Sequence, residues 1–128
     1  MTIEGMNHFT VLSSNLERSK AFYVNILGLT EGYRPPFDFP GAWLYAENQA
    51  ILHIMTGKPL PANAAGVIDH MAFTATNLQA VVDALKQNGI HYELHRLKGL
   101  ESWQLFFHDP DGAKVELDFQ ASEPEPKE

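Results

Sequence analysis

MNHFTVLSSNLERSKAFYVNILGL, Met6 to Leu29, and IDHMAFTATNLQAVVDALKQNGI, Ile68 to Ile90, are two versions of one plan. Each opens on an alternating run, passes a polar turn, reaches an Asn, and continues with apolar residues at helical spacing until a Gly. An Asn side chain accepts from the free N–H groups that begin a helix, and Gly adopts the left-handed conformation that ends one. His8 aligns with His70, and Asn15-Leu16 with Asn77-Leu78, at one common offset. Farther on, WLYAENQAILHI from Trp43 aligns without gaps to FFHDPDGAKVEL from Phe106, setting His53 against Glu116. The match lies in polarity and punctuation more than identity, yet it spans most of the chain. An internal duplication is the better reading.

Hydrophobic periodicity supplies the elements. In the first half, strands are expected over Met6–Ser13, Thr30–Arg34, Trp43–Ala46 and Ala50–Met55, with a helix over Leu16–Leu27. In the second, strands are expected over Val67–Ala75, Tyr92–Leu97, Trp103–His108 and Lys114–Phe119, with a helix over Leu78–Asn88. The segment PPFDFPG reads as a loop, because proline cannot donate to a ladder, and DPDG reads as a hairpin turn. Each half is therefore βαβββ. One helix after the first strand, then a run of strands, gives an α+β class with mixed sheets. The expected organisation is a first module at 1–58, a linker at 59–66 (within which PLPANAAG starts at Pro59), a second module at 67–119 and an acidic tail at 120–128. That tail, ASEPEPKE in its last eight residues, has no core-forming side chains and is expected to be disordered.

Composition narrows the function. The chain has 128 residues, no cysteine and a formal net charge of −7. That length suits one structural domain with a core of its own. Without cysteine there is no disulfide framework, thiolate metal site or Cys nucleophile, so a bound metal must take His, carboxylate or water. The acidic balance argues against nucleic acid and anionic membranes as partners. No stretch approaches the roughly 18 apolar residues of a membrane span, and MTIEGMNHF has no secretory character. A cytoplasmic location is expected.

His8, His53, His70 and Glu116 fit a plain sheet least well. They stand at duplicated positions, two in the first strands and two in the last. An approximate two-fold relation between modules would gather them around one point, and imidazole with carboxylate is what a divalent transition metal takes. Against this, a single strand His is more often a half-buried hydrogen-bonding side chain. Glu116 also alternates with Lys114 and Asp118, a pattern that suits a solvated face. The residues alone leave both readings open.

The paired βαβββ plan, with NHFTVLSSNLERSKAFYVNILGL, IDHMAFTATNLQAV and the ending DPDG-x-x-x-E, resembles the vicinal oxygen chelate superfamily over roughly residues 6–119. That group includes glyoxalase I, extradiol dioxygenases, fosfomycin-modifying enzymes and bleomycin-binding proteins. The resemblance implies two modules forming partly open, barrel-like mixed sheets with helices on the outer face. It implies metal ligands at His8, His70 and Glu116, and at His53, where bacterial glyoxalase I has Glu. With three His and one Glu, Zn, Ni, Mn and Fe all remain open.

The resemblance further implies glyoxalase I-like chemistry: a divalent-metal-dependent enzyme acting on a small substrate with vicinal oxygens. Proton transfer would run through a metal-bound enediolate, with Glu116 as catalytic base. An Fe(II) extradiol dioxygenase is the first alternative. Its signature Tyr, however, falls on Phe106, which cannot donate a proton. A non-catalytic small-molecule-binding protein like the bleomycin-binding members is the second, using an aromatic groove drawn from Phe37, Phe39, Trp43, Tyr45 and Trp103. Fosfomycin-type thiol transfer lacks its basic loop here.

Substrate contacts are expected from Arg34, Phe37, Trp43, Trp103 and Gln104. Arg34 would either meet a carboxylate or oxyanion of the substrate or pair with Asp38. Lys98–Ser102 is the expected flap. In proteins of this size the resemblance implies a homodimer with shared sites, His8 and His53 of one chain working with His70 and Glu116 of the other.

Overall fold

The computed structural model describes residues 1–128, which divide into two compact units, Met1–Ala62 and Asn63–Glu128. The first contains β1 (Phe9–Leu12), α1 (Leu16–Asn25), β2 (Thr30–Gly32), β3 (Gly41–Ala46) and β4 (Gln49–Met55). The second contains β5 (Met71–Thr74), α2 (Leu78–Gln87), β6 (Tyr92–Arg96), β7 (Trp103–His108) and β8 (Lys114–Phe119). Each is βαβββ, and the α+β class follows. Each carries an open, mixed four-stranded sheet that does not close on itself, in the orders β1-β4-β3-β2 and β5-β8-β7-β6. In both, the first and last strands pair parallel and the others antiparallel.

Parallel pairing of a first with a last strand brings together side chains far apart in sequence. Thr10 stands beside His53, and His53 beside Trp43. In the second sheet Ala72 stands beside Glu116, and Glu116 beside Phe106. His53 and Glu116 thus hold the same register position in the two sheets. His8 and His70 each lie one residue before their strand, because ladder pairing begins at Phe9 and Met71.

The helices start where the Asn residues stand. Asn15 accepts from the Arg18 N–H at 3.0 Å, and Asn77 from the Ala80 N–H at 3.3 Å. They end short of Gly28 and Gly89, whose φ angles of +77° and +64° are the left-handed values that stop a helix. Phe22, Tyr23 and Ile26 pack with Val11, Leu44, Leu52 and Ile54 in the buried core of the first unit. The second core holds Leu78, Val82 and Leu85 with Leu105, Phe107, Val115, Leu117 and Phe119. Burying one such side chain is worth about 1.5–3 kcal/mol.

No helix or strand follows Phe119, but the tail does not trail free as its composition suggests. The Glu123 carboxylate accepts from the Asn77 and Leu78 N–H groups at 2.9 and 2.6 Å, a second cap on α2. The Glu123 carbonyl accepts from Trp103 Nε1 at 2.8 Å, and the Lys127 N–H donates to Gln79 at 2.7 Å. Composition counts apolar area, and these contacts are polar.

Candidate functional site

Within the first unit, the edge of β1 and the outer faces of β3 and β4 meet the loop that follows β2. Alternation along β4 sends Leu52 and Ile54 into the core and His53 to the opposite face, beside His8 and Trp43. The three rings form one parallel stack. His8 and His53 are 3.7 Å apart at 13°, and His53 and Trp43 are 4.0 Å apart at 12°. His53 Nε2 lies 3.1 Å from the Ala50 carbonyl. A carbonyl only accepts, so Nε2 carries the proton and Nδ1 keeps the lone pair. Burial, then the neighbouring His8, holds the His53 pKa below the ordinary imidazole value, which favours this neutral form. His8 Nδ1 is bonded to Asn7 Oδ1 at 2.6 Å, leaving Nε2 free to act as a donor atom.

The same face bounds a cavity of about 630 Å³, formed by the first unit. Arg34 lines it without pairing to Asp38. Its Nη2 donates to the Phe39 carbonyl at 2.7 Å, and its guanidinium lies 5.0 Å from the ring centres of both Phe37 and Phe39. It crosses Gly41, where a Cβ would meet Arg34 Nη2 at 3.0 Å and the Ile54 carbonyl at 2.3 Å. Phe37, Phe39 and Trp43 line the cavity. Tyr45 lies outside the lining and bonds the Tyr33 carbonyl.

Within the second unit, Glu116 is only 6% exposed although it is a carboxylate, so its charge needs partners. Its Oε1 is 2.9 Å from His70 Nε2, and its Oε2 accepts from Gln104 Nε2 at 3.3 Å. Gln104 therefore serves Glu116 directly. His70 Nδ1 is bonded to Asp69 Oδ2 at 2.8 Å. That bond, with Lys114, holds the Asp69 carboxyl below its ordinary range. In both units, then, the residue preceding the first-strand His fixes its Nδ1, Asn7 in one and Asp69 in the other. Metal-ligating histidines are commonly oriented this way.

Asp118 was legible in the sequence only as one of the alternating residues. Two positions beyond Glu116, it shares that face, and its Oδ1 is buried without a hydrogen-bond partner. Desolvation first, then Glu116, raises its pKa to about 6. Phe106 packs edge-on against His70, ring centres 5.8 Å apart.

Trp103 corrects an expectation. It is 6% exposed, faces the core side of β7, is tied to the tail, and has the Arg96 guanidinium 3.6 Å from its ring centre. Aromatic residues stand on both faces of WQLFFH, and the ladder assigns Trp103, Leu105 and Phe107 to the core, Gln104 and Phe106 to the other face. The expected flap is closed by Leu97–Ser102 and Leu97–Glu101 backbone bonds of 2.8 and 2.6 Å.

In donor chemistry, the imidazole nitrogens with free lone pairs in the first unit, and separately the braced His70 with the buried Glu116 in the second, are of the kind a divalent cation takes. Each unit brings fewer than three such side chains together.

A family model described as the Glyoxalase/Bleomycin resistance protein/Dioxygenase superfamily matches residues 5–117. The chain belongs to that superfamily. It is 33% identical over 122 residues to Glyoxylase I 4 of Arabidopsis thaliana, covering 90% of this chain and 70% of that one. It is 28% identical over 119 residues to a lactoylglutathione lyase of Salmonella typhimurium, covering 86% and 88%. Among solved structures it matches a variant of the fosfomycin resistance protein FosX of Listeria monocytogenes, complexed with Mn(II) and 1S,2S-dihydroxypropylphosphonic acid. The TM-score is 0.75 at 20% identity, covering 93% and 94% of the two chains. That likeness is one of fold.

Proposed function

We propose that this protein is a divalent-metal-dependent enzyme of the glyoxalase I type, moving a proton on a small substrate with vicinal oxygens. The observation that carries the reading is the repeated pairing. A first-strand His braced by its preceding residue, His8 or His70, accompanies a last-strand donor at the matching register, His53 or Glu116. His8, His53, His70 and Glu116 would hold the cation, which supplies Lewis acidity to the carbon acid when bound.

The remaining work falls to this chain's own side chains. Glu116 is the general base: its buried carboxylate can take a proton, and Gln104 keeps one oxygen oriented. Arg34, already fixed by Phe39, orients the substrate. The relatives with glyoxalase and lyase names favour this activity, and the FosX complex with Mn(II) favours a metal, whose identity among Zn, Ni, Mn and Fe is left open. Replacing a Glu by His53 makes the ligand set one unit less negative than in bacterial glyoxalase I. A homodimer with sites shared between chains, located in the cytoplasm, completes the proposal.

The extradiol alternative is disfavoured by Phe106, which touches His70 with a ring that carries no hydroxyl. The aromatic cavity also suits a binding protein. Elemental analysis of purified wild type against His8→Ala decides between them, followed by assays with methylglyoxal plus thiols and with catechols. Stoichiometric metal in the wild type, lost in the variant, with turnover of a thiol adduct, is the expected result. Metal-free wild type would overturn the enzyme in favour of the binding protein, and ring-opened catechol in favour of the dioxygenase.

A further inference from the structure

We propose that the cavity of the first unit is built for a small aromatic monocarboxylate, with Arg34 as the anion-binding residue and the rings around it as the stacking surface. This deepens the functional reading and rests on that cavity being the substrate site. The first ground is charge. The chain has 16 Asp and Glu residues, yet none lines this cavity, and Arg34 is its only permanently charged group. On a chain of net charge −7, a cavity that excludes every acid and keeps one cation is selective for an anion.

The second ground is the state of the guanidinium. Arg34 is half-buried, and the more an arginine is buried the more it needs a carboxylate partner. Here Arg34 has a neutral carbonyl and two phenyl faces, none of which cancels its charge. Those contacts occupy one N–H and fix the plane of the group, so the rotamer entropy of a flexible arginine is not lost again on binding. A single positive charge balances a single carboxylate.

The third ground is shape. Phe37 and Phe39 stack 5.3 Å apart, Phe37 stands 6.2 Å from Trp43 at 44°, and Trp43 continues into the His53 and His8 stack. These flat faces border a volume of about 630 Å³, within the range of small-molecule sites. A planar ring uses such faces best, through offset or edge contacts.

Calorimetric titration tests the proposal, on the protein as purified and again after EDTA treatment. The probes are phenylacetate, its neutral methyl ester, and acetate. Phenylacetate is expected to bind at least about tenfold more tightly than either of the others. Arg34→Gln should weaken phenylacetate by roughly 10- to 100-fold, the range for one lost contact to a charged group. The same variant should leave the ester unchanged, which also shows that its cavity is folded, and Arg34→Lys should recover part of the loss. Equal binding of acid and ester, or an Arg34→Gln variant that keeps its phenylacetate affinity, overturns the anion assignment. Acetate binding as tightly as phenylacetate overturns the aromatic one, and no binding by any probe overturns both. Because metal content is measured separately, failure here beside stoichiometric metal leaves the enzyme reading standing. Binding here by a metal-free protein does the reverse.

Discussion

Asp118→Asn should make the metal-free protein more stable at neutral pH, by an amount the surroundings of Asp118 allow to be worked out. The native pKa of Asp118 is about 6 against an ordinary 3.8, raised by desolvation and then by Glu116. Between those two values the native state binds more protons than the unfolded chain. Stability therefore falls as pH rises from about 4 to 6 and is not regained above it. A rise of about two pH units, at about 1.4 kcal/mol each, sets a ceiling near 3 kcal/mol. Asp118 is only half-buried, so solvent screening brings the expected cost at pH 7 to about 1–2 kcal/mol. Asparagine is neutral at every pH, so it carries no charge to desolvate beside Glu116. Urea denaturation in EDTA at pH values from 3.5 to 8 measures the difference between the two proteins. The gain should be near zero at the acid end, grow through pH 4–6 and level off. Parallel curves, or a less stable variant at pH 7, would refute the account of Asp118.

Two further outcomes follow from the contacts described. Glu123→Ala removes both carboxylate bonds to the start of α2 and should cost about 1–2 kcal/mol in thermal or urea unfolding, with Glu123→Gln costing about half. An unchanged midpoint would show the tail to be unimportant to that helix. Mixing inactive His8→Ala and Glu116→Ala chains should restore up to about a quarter of wild-type activity if sites are shared, since half the dimers would carry one intact site of two. No recovery on mixing would assign each site to a single chain.

Much of this was legible in the sequence because duplication repeats its signals. Asn15 and Asn77 begin the helices and Gly28 and Gly89 end them as read, and the ungapped alignment of Trp43–Ile54 with Phe106–Leu117 anticipates the shared register of His53 and Glu116. Strand starts were overextended, since alternation reports extended backbone and not whether a partner strand is present, so His8 and His70 lie outside their ladders. The orientation of Trp103 was hidden because both faces of its strand carry aromatic residues. Asn7 and Asp69 were passed over although each precedes an aligned His. The environment of Asp118 depends on desolvation, which no spacing encodes.

The clasp between Glu123 and the start of α2 makes the duplicated halves unequal in autonomy. α1 is closed at its beginning by its own neighbourhood, where Ser13 and Ser19 meet at 2.6 Å, whereas α2 borrows an acceptor from 45 positions downstream. A second half cut at Phe119, where the repeat itself stops, would release two amide groups to solvent and a buried indole from its tether. Anyone wishing to grow that half by itself, or to splice it into another polypeptide, should carry the chain through Lys127.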